Sequence, residues 1–373
     1  MPDTAANARS VPYVDFPAQY AIEKADIMAC VEAVFSKGEF VGSGIIADLE
    51  AALADAVGVG HAVALNSGTD ALILTMRALD IGSGDEVITP PNSFVASAAA
   101  IVATGATPVF ADVRADQNID PTAIEAAITE NTRAIMPVHL TGRICDMDAI
   151  LAIAEKHGIA VIEDAAQSFG SQYRGRSSGS FGVAGCFSAH PLKNLNAAGD
   201  AGFVTTNDDK LAARLRLLRN HGLSDRDTVT EWGTVSRLDT LQAAVLLMRL
   251  EKVGAVIDAR RRNAALYQSL FANSDVFCPL CRAHEFNTFH TFVVQVDRRD
   301  ELQAFLMEKG IETAVCYPTP LHLQPAAKVL GYKAGDFPVA EEQAGRILSL
   351  PVHQFLSEDD TKSVAETILY FHL

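Results

Sequence analysis

The stretch AVALNSGTDALILTMRAL (62–79) predicts a strand, a turn and a helix in direct succession. The run AVAL (62–65) is short and apolar, as buried strands are, whereas ALILTMRAL (71–79) carries apolar residues at helical spacing. Between them, NSG (66–68) consists of residue types that end a strand and cap a helix. This unit is the first of a series that determines the fold.

The same alternation of strand and helix continues to about residue 206. Six more β-rich runs follow, and each ends near Gly, Pro, Asn, Asp or Ser. They are EVIT (86–89), TPVFADV (107–113), AIMPV (134–138), IAVIE (159–163), GCFS (185–188) and GFVTT (202–206). Helical segments lie between several of them, including DMDAILAIAEKHG (146–158) and a helix capped by Asp120 with Pro121 in its first turn. The pattern predicts an α/β fold with a mainly parallel sheet flanked by helices.

The C-terminal third has a different order of elements. The segment 238–271 is rich in helix formers and is interrupted only by Gly254, so it predicts one long helix or two abutting helices that bridge two domains. Beyond it we predict a strand at 289–296, a helix from Asp300 to Lys309, a strand at 312–317 and two terminal helices. We therefore predict a large domain over 1–250, including the N-terminal segment, and a small α+β domain over 251–373.

The composition indicates a globular protein of enzyme size. Of the 373 residues, 49% are hydrophobic and 20% are charged, which is enough apolar sequence for one large and one smaller core. The 46 acidic residues outnumber the 30 basic ones, and the net charge of −16 disfavours nucleic acid as a partner. No apolar run approaches the ~20 residues that cross a bilayer, and the start MPDTAANARS lacks the apolar stretch of a secretory signal. We therefore expect a cytoplasmic protein with no membrane partner.

The six cysteines are scattered along the chain, which favours reduced thiols. Cys278 and Cys281 form one C-x-x-C pair, but no second pair follows at zinc-finger spacing. Asp146 and Asp148 are typical of a helix start. We expect no metal site.

Ligands of a parallel sheet gather at the carboxyl ends of its strands, so the residues that follow each strand are the first candidates for a site. Gly68 and Thr69 begin a helix, where free N–H groups and hydroxyls can hold a phosphate, although the same residues also serve as a plain helix cap. Asp164 follows IAVIE (159–163). It either caps the next helix or pairs with a protonated pyridine nitrogen.

Lys193 and Phe94 also follow predicted strands. Lys193 lies between GCFS (185–188) and the glycine-rich AGDAG (198–202), where backbone can approach a ligand closely. A lone lysine is usually solvated, but a desolvated lysine amine can form a Schiff base. Phe94 follows EVIT (86–89), and its ring either packs in the core or stacks on a flat cofactor.

Taken in chain order, nine motifs resemble the DegT/DnrJ/StrS family of sugar aminotransferases. They cover nearly the whole chain, from about Val11 to the last helix. The motifs are NSGTDAL (66–72), GDEVITPPNSFVAS (84–97), PVHLTG (137–142), EDAAQSFG (163–170), FSAHPLKNLNAAGDAG (187–202), LRNHG (218–222), SRLDTLQAAV (236–245), YPTPLHLQPA (317–326) and GDFPVAEEQAGRILSLPVH (335–353). The resemblance implies the fold-type-I architecture, with a seven-stranded sheet in the large domain, and a homodimer with active sites at its interface. It also implies pyridoxal 5'-phosphate as cofactor, which becomes pyridoxamine 5'-phosphate in the half-reaction.

The resemblance implies a role for each matching residue. Lys193 would bind the cofactor covalently and carry the proton, and Asp164 would pair with the pyridine nitrogen. The remaining cofactor residues would be Gly68, Thr69 and Ser188 at the phosphate, Phe94 stacked on the ring, and Gln167 near the ring. The residues predicted to contact the substrate are His322, Tyr317, His221 and Arg219.

Several of these substrate residues have a plain alternative. An isolated histidine such as His221 is more often structural or exposed. A nucleotide diphosphate needs local positive charge, which Arg219, Arg249 or Arg260 could supply, although any single arginine is more often solvated on a helix face.

The implied reaction is transamination of a nucleotide-linked keto-sugar with L-glutamate as the amino donor. The pairing of NSGTDAL with AAGDAG (197–202) and SRLD (236–239) favours amination at C3, as in a 3-keto-6-deoxyhexose. The alternatives are a 4-keto nucleotide sugar, a cyclitol, or a non-catalytic regulatory relative that binds the cofactor or the sugar. The family's dehydratases carry histidine in place of the lysine, so Lys193 excludes that branch.

One position departs from the family pattern. An asparagine commonly stands two residues before the arginine of S-R-L-D and reaches across the dimer to the phosphate. Val235 occupies that position here, and its side chain donates no hydrogen bond. We therefore expect another group to replace it, or the phosphate to be held less firmly.

Overall fold

The computed structural model describes residues 10–372. Leu373 lies outside this part of the chain, and so do residues 1–9, on which the prediction of no secretory signal rests. The helices of the described part are α1 (Phe16–Phe35), α2 (Gly44–Val57), α3 (Gly68–Ala78), α4 (Val95–Ala103), α5 (Pro121–Ala127), α6 (Met147–His157), α7 (Asp209–Leu218), α8 (Thr240–Leu250), α9 (Val253–Phe271), α10 (Arg299–Glu308), α11 (Pro338–Arg346) and α12 (Glu358–Phe371).

The strands of the described part are β1 (His61–Leu65), β2 (Glu86–Thr89), β3 (Thr107–Phe110), β4 (Thr132–Ile135), β5 (Ala160–Asp164), β6 (Gln172–Tyr173), β7 (Arg176–Ser177), β8 (Ala184–Ser188), β9 (Gly202–Thr206), β10 (Glu285–Phe286), β11 (Phe292–Gln295) and β12 (Ile347–Leu350). Short 3₁₀ helices span Leu140–Gly142, Leu321–Leu323 and Pro325–Leu330.

Seven strands form the main sheet of the described chain in the order β1-β9-β8-β5-β4-β2-β3. Only β9 runs antiparallel to its neighbours in this sheet, and the other strands run parallel to one another. The seven runs predicted from the sequence correspond to these seven strands, so the predicted mainly parallel sheet is confirmed. Parallel strands end at the same edge, and this edge carries the residues discussed below.

Local sequence signals set several helix boundaries. Asp120 caps α5, where its side chain accepts a hydrogen bond from the N–H of Thr122 at 3.0 Å. Gly158 ends α6 in the left-handed conformation, with φ of 64°. The segment 238–271 forms two abutting helices, α8 and α9, and the break falls at residues 251–252.

The C-terminal elements build a second, smaller core. There β11 pairs antiparallel with β12, a strand that the sequence analysis did not predict. The predicted strand at 312–317 is wrong as a continuous strand, because it pairs with β12 only through a bridge between Ala314 and Ser349. This core also contains Val11, which comes from the N-terminal segment that we predict to belong to the large domain. The domain boundary at residue 250 stays a prediction.

No helix among residues 10–372 combines the length and apolar character that crossing a membrane requires.

Candidate active site

A cavity of about 340 Å³ lies at the carboxyl ends of the parallel strands. Eight of the predicted site residues line it, and they are Gly68, Thr69, Phe94, Asp164, Gln167, Ser188, Lys193 and Tyr317. Two walls can be distinguished by their origin. The strand-end wall comprises Gly68, Thr69, Asp164, Gln167 and Ser188, whereas the C-terminal wall comprises Arg260, His290, Cys316 and Tyr317. Lys193 faces the same cavity.

The turn before α3 has the features of a phosphate site. Ser67 caps the helix by accepting a hydrogen bond from the N–H of Asp70 at 3.1 Å, and Gly68 and Thr69 open the first turn. The backbone N–H groups of a first turn have no partner within the helix and favour an anion. Gly68 lies so close to Ser188 that an added Cβ would be 2.7 Å from the Ser188 Cβ. Glycine is therefore required for the turn to approach β8.

Asp164 ends β5 with its carboxylate facing the cavity and only 4% of the residue exposed. Oδ2 accepts a hydrogen bond from Ser97 at 2.7 Å, and Oδ1 accepts one from the N–H of Ala166 at 3.3 Å. Burial raises the pKa of this carboxyl, while Ser97, Ala166 and the charge of Lys193 oppose the rise. A cationic ring nitrogen at this position would neutralise the buried charge.

The residue before Asp164 fixes the end of this strand. Glu163 is fully buried, and it points to the other side of the sheet because side chains alternate along a strand. Its carboxylate lies 2.9 Å from Nε2 of His139 and accepts hydrogen bonds from the N–H groups of Gly179, Phe181 and Gly182 at 2.7 to 2.8 Å. These contacts hold Asp164 in register.

Lys193 lies five residues beyond β8, in a turn closed by a hydrogen bond from its N–H to the carbonyl of His190 at 2.8 Å. Its Nζ is 3.4 Å from Nε2 of His290. Burial lowers the pKa of the Lys193 amine to about 8, although Asp164 and Cys316 oppose that shift. A fraction of the amine is therefore neutral near pH 7, as a nucleophile requires.

The sequence did not indicate that His290 lines the cavity. Burial and the nearby cations Lys193 and Arg260 hold its pKa well below the usual value, so the ring is neutral and one ring nitrogen can accept a hydrogen bond. Its Nδ1 is buried with no hydrogen-bond partner among the described residues. The only signal in the sequence was a histidine just before β11, which carries no motif of its own.

The aromatic and amide residues complete the cavity. Phe94 and Tyr317 lie with ring centroids 5.5 Å apart and tilted by 42°, and Phe94 remains 51% exposed. The Oε1 of Gln167 accepts a hydrogen bond from the N–H of Thr141 at 2.8 Å. The exposed face of Phe94 is thus free to stack on a flat ring.

Three predicted substrate residues, His322, Arg219 and His221, do not line this cavity, and their contact with the substrate stays a prediction. His322 lies in the 3₁₀ helix Leu321–Leu323 and is buried, with Nε2 3.0 Å from a carboxylate oxygen of Glu341. The centroids of the His322 and Phe337 rings are 4.7 Å apart, and the rings meet edge to face. The pattern PLHLQP thus places a buried histidine that pairs with Glu341 through Nε2, while its Nδ1 has no hydrogen-bond partner among the described residues.

Arg219 and His221 also lie outside the cavity. Arg219 pairs with the buried Glu50 and donates to the carbonyl of Ala64 at 2.7 Å, so its charge neutralises a carboxylate within the protein. His221 is an exposed turn residue with φ of 61°, and its N–H donates to the carbonyl of Thr234 at 2.9 Å. Sequence alone could not identify these partners, because Glu50 and Ala64 are far from Arg219 in the chain.

The three arginines considered for a diphosphate have different surroundings. Arg249 pairs with Glu23 at 2.7 Å, as Arg219 pairs with Glu50. Arg260 alone of the three lines the cavity. Val235, at the position of the usual asparagine, is 48% exposed next to Trp232, which is 83% exposed, so this segment faces outward from the protomer.

Among residues 10–372, no group of three or more His, Cys, Asp or Glu side chains could hold a metal ion.

A model of the DegT/DnrJ/EryC1/StrS aminotransferase family matches residues 21–369. The chain is 42% identical to a pleiotropic regulatory protein of Geobacillus stearothermophilus, covering 97% of this chain and 99% of the relative. It is 43% identical to the UDP-N-acetyl-3-dehydro-alpha-D-glucosamine 3-aminotransferase of Acidithiobacillus ferrooxidans, covering 96% of this chain and 97% of the relative.

A solved structure gives the same result. The crystal structure of S. venezuelae DesV in complex with a ketimine intermediate has a TM-score of 0.95 and 40% sequence identity, over 97% of this chain and 98% of that chain. The fold-type-I architecture implied by the sequence is thus confirmed. The chain belongs to the DegT/DnrJ/EryC1/StrS aminotransferase family and is a pyridoxal-phosphate-dependent sugar aminotransferase.

Proposed function

We propose that this protein transfers an amino group from L-glutamate to the C3 keto group of a nucleotide-linked sugar, such as a 3-keto-6-deoxyhexose. The observation that carries the proposal is the meeting of Lys193, Asp164 and the Gly68 turn in one cavity. The C3 assignment is supported by motif resemblance and by relatives named for 3-amino or 3-oxo sugars in Acidithiobacillus ferrooxidans and Pseudomonas aeruginosa.

The cavity fits pyridoxal 5'-phosphate. Gly68, Thr69 and Ser188 would hold the phosphate, Phe94 would cover the ring, and Asp164 would pair with the ring nitrogen. Gln167, fixed by its contact with Thr141, would lie beside the ring. When bound, the cofactor supplies an electron sink that makes the Cα–H of the amino donor acidic.

Lys193 would carry the proton. In its neutral form the Nζ accepts a proton from the donor's Cα, and in its ammonium form it gives a proton back. A pKa near 8 lets both forms exist at neutral pH. His290, neutral and 3.4 Å away, accepts a hydrogen bond from the ammonium and so holds it within the cavity.

We also propose a homodimer and a cytoplasmic location. Exposed apolar side chains lie at the cavity and next to the Val235 position, which supports contact with a second copy. They are Phe94, Val95, Leu192, Trp232 and Val235. All six cysteines are free, as in a reducing compartment.

The test of the substrate assignment is a panel of acceptors with L-glutamate. The panel contains 3-keto nucleotide sugars, 4-keto nucleotide sugars and a keto-cyclitol, and formation of 2-oxoglutarate and of the amino product is measured. We expect the 3-keto sugars to have the highest kcat/KM. Preference for a 4-keto sugar or a cyclitol would replace the C3 assignment, and turnover of none would refute the sugar assignment.

The test of the site is Lys193→Ala. Transamination should fall on the order of 10²- to 10⁴-fold or more, because the variant loses both the nucleophile and the proton carrier. Lys362→Ala is the matched control, since Lys362 is an exposed lysine that pairs with Glu358. A Lys193→Ala protein with wild-type turnover would overturn the mechanism. Absence of transamination by the wild-type protein would instead leave the non-catalytic regulatory role as the better explanation.

A further inference from the structure

Arg260 is a buried cation in the C-terminal wall of the cavity. It lies on α9, only 6% of the residue is exposed, and its side chain lines the cavity next to His290 and Lys193. A buried guanidinium is normally paired with a carboxylate or a phosphate. The partners of Arg260 therefore indicate whether the protein itself satisfies the charge.

Arg260 has only carbonyl partners among the described residues. Its Nη1 donates to the carbonyl of His290 at 2.9 Å and to that of Phe289 at 3.4 Å, while Nε is buried with no hydrogen-bond partner. No carboxylate within residues 10–372 forms an ion pair with it. Arg219 and Arg249, by contrast, each pair with a glutamate. The charge of Arg260 thus remains available to a ligand.

The surroundings of Arg260 favour an anion. Lys193 is a second cation nearby, and His290, which bridges the two through its ring and its carbonyl, is neutral. Burial lowers the pKa of Arg260 to about 10, opposed by Tyr13, so the guanidinium is still protonated at neutral pH. An incoming anion would be desolvated beside a guanidinium that no carboxylate of the described residues neutralises.

The position of Arg260 indicates which kind of anion it can bind. Its Nη1 contacts the carbonyl of His290, and the ring of that residue is 3.4 Å from Nζ of Lys193. The amino donor must bring its nitrogen to the atom that Lys193 serves, and its α-carboxylate is attached to the same carbon as that nitrogen. A nucleotide diphosphate is separated from a reacting C3 by the sugar ring.

We propose that Arg260 binds a carboxylate of the amino-acid donor. The inference rests on the proposed aminotransferase function but not on the identity of the sugar. The donor half-reaction can be followed without any sugar, as the change in absorbance of the bound cofactor when an amino acid is mixed with the holoenzyme.

The first experiment uses Arg260→Gln with Arg261→Gln as the matched control. Arg261 is the next residue on α9 and also donates to a backbone carbonyl, that of Asn287 at 2.7 Å. In Arg260→Gln we expect the concentration of L-glutamate that gives half-maximal rate to rise about 10-fold or more, because a charge-assisted hydrogen bond is lost. The second half-reaction, in which the pyridoxamine form reacts with the keto-sugar, should keep the wild-type dependence of its rate on sugar concentration.

Two results would overturn the proposal. One is an unchanged glutamate dependence in Arg260→Gln, and the other is weakened sugar binding with donor binding intact, which would assign Arg260 to the diphosphate. If none of the sugars is aminated while the glutamate half-reaction stays intact, only the sugar assignment is refuted.

A second experiment compares two compounds on the wild-type protein, so its main result does not depend on whether a variant folds. Glutarate, a dicarboxylate without an amino group, should raise the thermal unfolding midpoint of the wild-type apoprotein, and the diamide of glutarate should not. Arg260→Lys, which keeps the charge but loses the planar fork, should retain part of this shift. Equal effects of glutarate and its diamide on the wild-type protein would contradict a carboxylate site.

Discussion

The two walls of the cavity are built on different physical principles. The strand-end wall presents backbone N–H groups, hydroxyls and one carboxylate, all at or just beyond the ends of strands of a single sheet. The C-terminal wall presents one cation, a neutral imidazole and an aromatic ring, which come from α9, from the segment before β11 and from the segment near residue 316. Local chain geometry therefore positions the first wall, whereas packing between distant segments positions the second.

The two walls are suited to different ligands. Groups fixed by their own turn or strand end are suited to a cofactor that stays in place through both half-reactions. Groups contributed by a separate core can meet the exchanging substrates, and Arg260 is a desolvated charge of the kind that such recognition uses. Substitutions in the two walls should therefore have different readouts.

Among the substitutions that compare the two walls, Asp164→Asn should have the largest effect and would test the strand-end wall. Asparagine keeps the shape but removes the charge that would pair with the ring nitrogen, and we expect the donor half-reaction to slow on the order of 100-fold. Stopped-flow absorbance with saturating L-glutamate measures it. Ser97→Ala, which removes one hydrogen bond to the same carboxylate, is the graded control and should slow the reaction less. Wild-type speed in Asp164→Asn would show that this wall does not control the chemistry.

Gly68→Ala should act on cofactor binding. The added Cβ would lie 2.7 Å from the Ser188 Cβ, so the turn must move away from β8, and we expect a loss of stability of about 1–3 kcal/mol together with weaker cofactor binding. Equilibrium dialysis and thermal unfolding measure the two effects. Gly254→Ala, in α9 with no atom near the added Cβ, should not weaken cofactor binding. Unchanged cofactor affinity in Gly68→Ala would separate the turn from the phosphate.

The pH dependence of Lys193 would sharpen the comparison. Only the neutral amine reacts with an acylating reagent, so in the apoprotein its labelling rate should rise about tenfold per pH unit below the pKa and level off above about pH 8. The labelling rate of Lys362, whose pKa is raised by Glu358, should still be rising near pH 10. Peptide mass spectrometry separates the two sites. A rate for Lys193 that follows that of Lys362 would contradict the lowered pKa.

His322→Leu should have the smallest effect on activity. Since the structure pairs His322 with Glu341 in a buried position, its loss should lower the free energy of unfolding by about 1–3 kcal/mol and leave the KM for the sugar unchanged. Denaturant unfolding and steady-state kinetics measure the two quantities. A large rise in KM without loss of stability would restore His322 to the substrate site.

Much of the strand-end wall could be predicted because each of its residues is close in sequence to the end of a strand. Gly68 lies three residues beyond β1 and Asp164 ends β5, so assigning the strands also assigned their carboxyl ends. The C-terminal wall gave no such signal. His290 stands alone before β11, and the predicted strand at 312–317 proved to be only a bridge, since the position of that segment depends on β12.

The sequence by itself determined the α/β order, the mainly parallel sheet and the residues at the strand ends, since each depends on hydrophobic periodicity and turn residues close together in the chain. Only the tertiary structure decided which polar side chains face the cavity. Arg219 and His322 matched the family pattern but are paired with Glu50 and Glu341, while Arg260 has no carboxylate partner among the described residues. Whether a charge is paired within the protein or left for a ligand depends on residues far away in sequence, and folding alone brings them together.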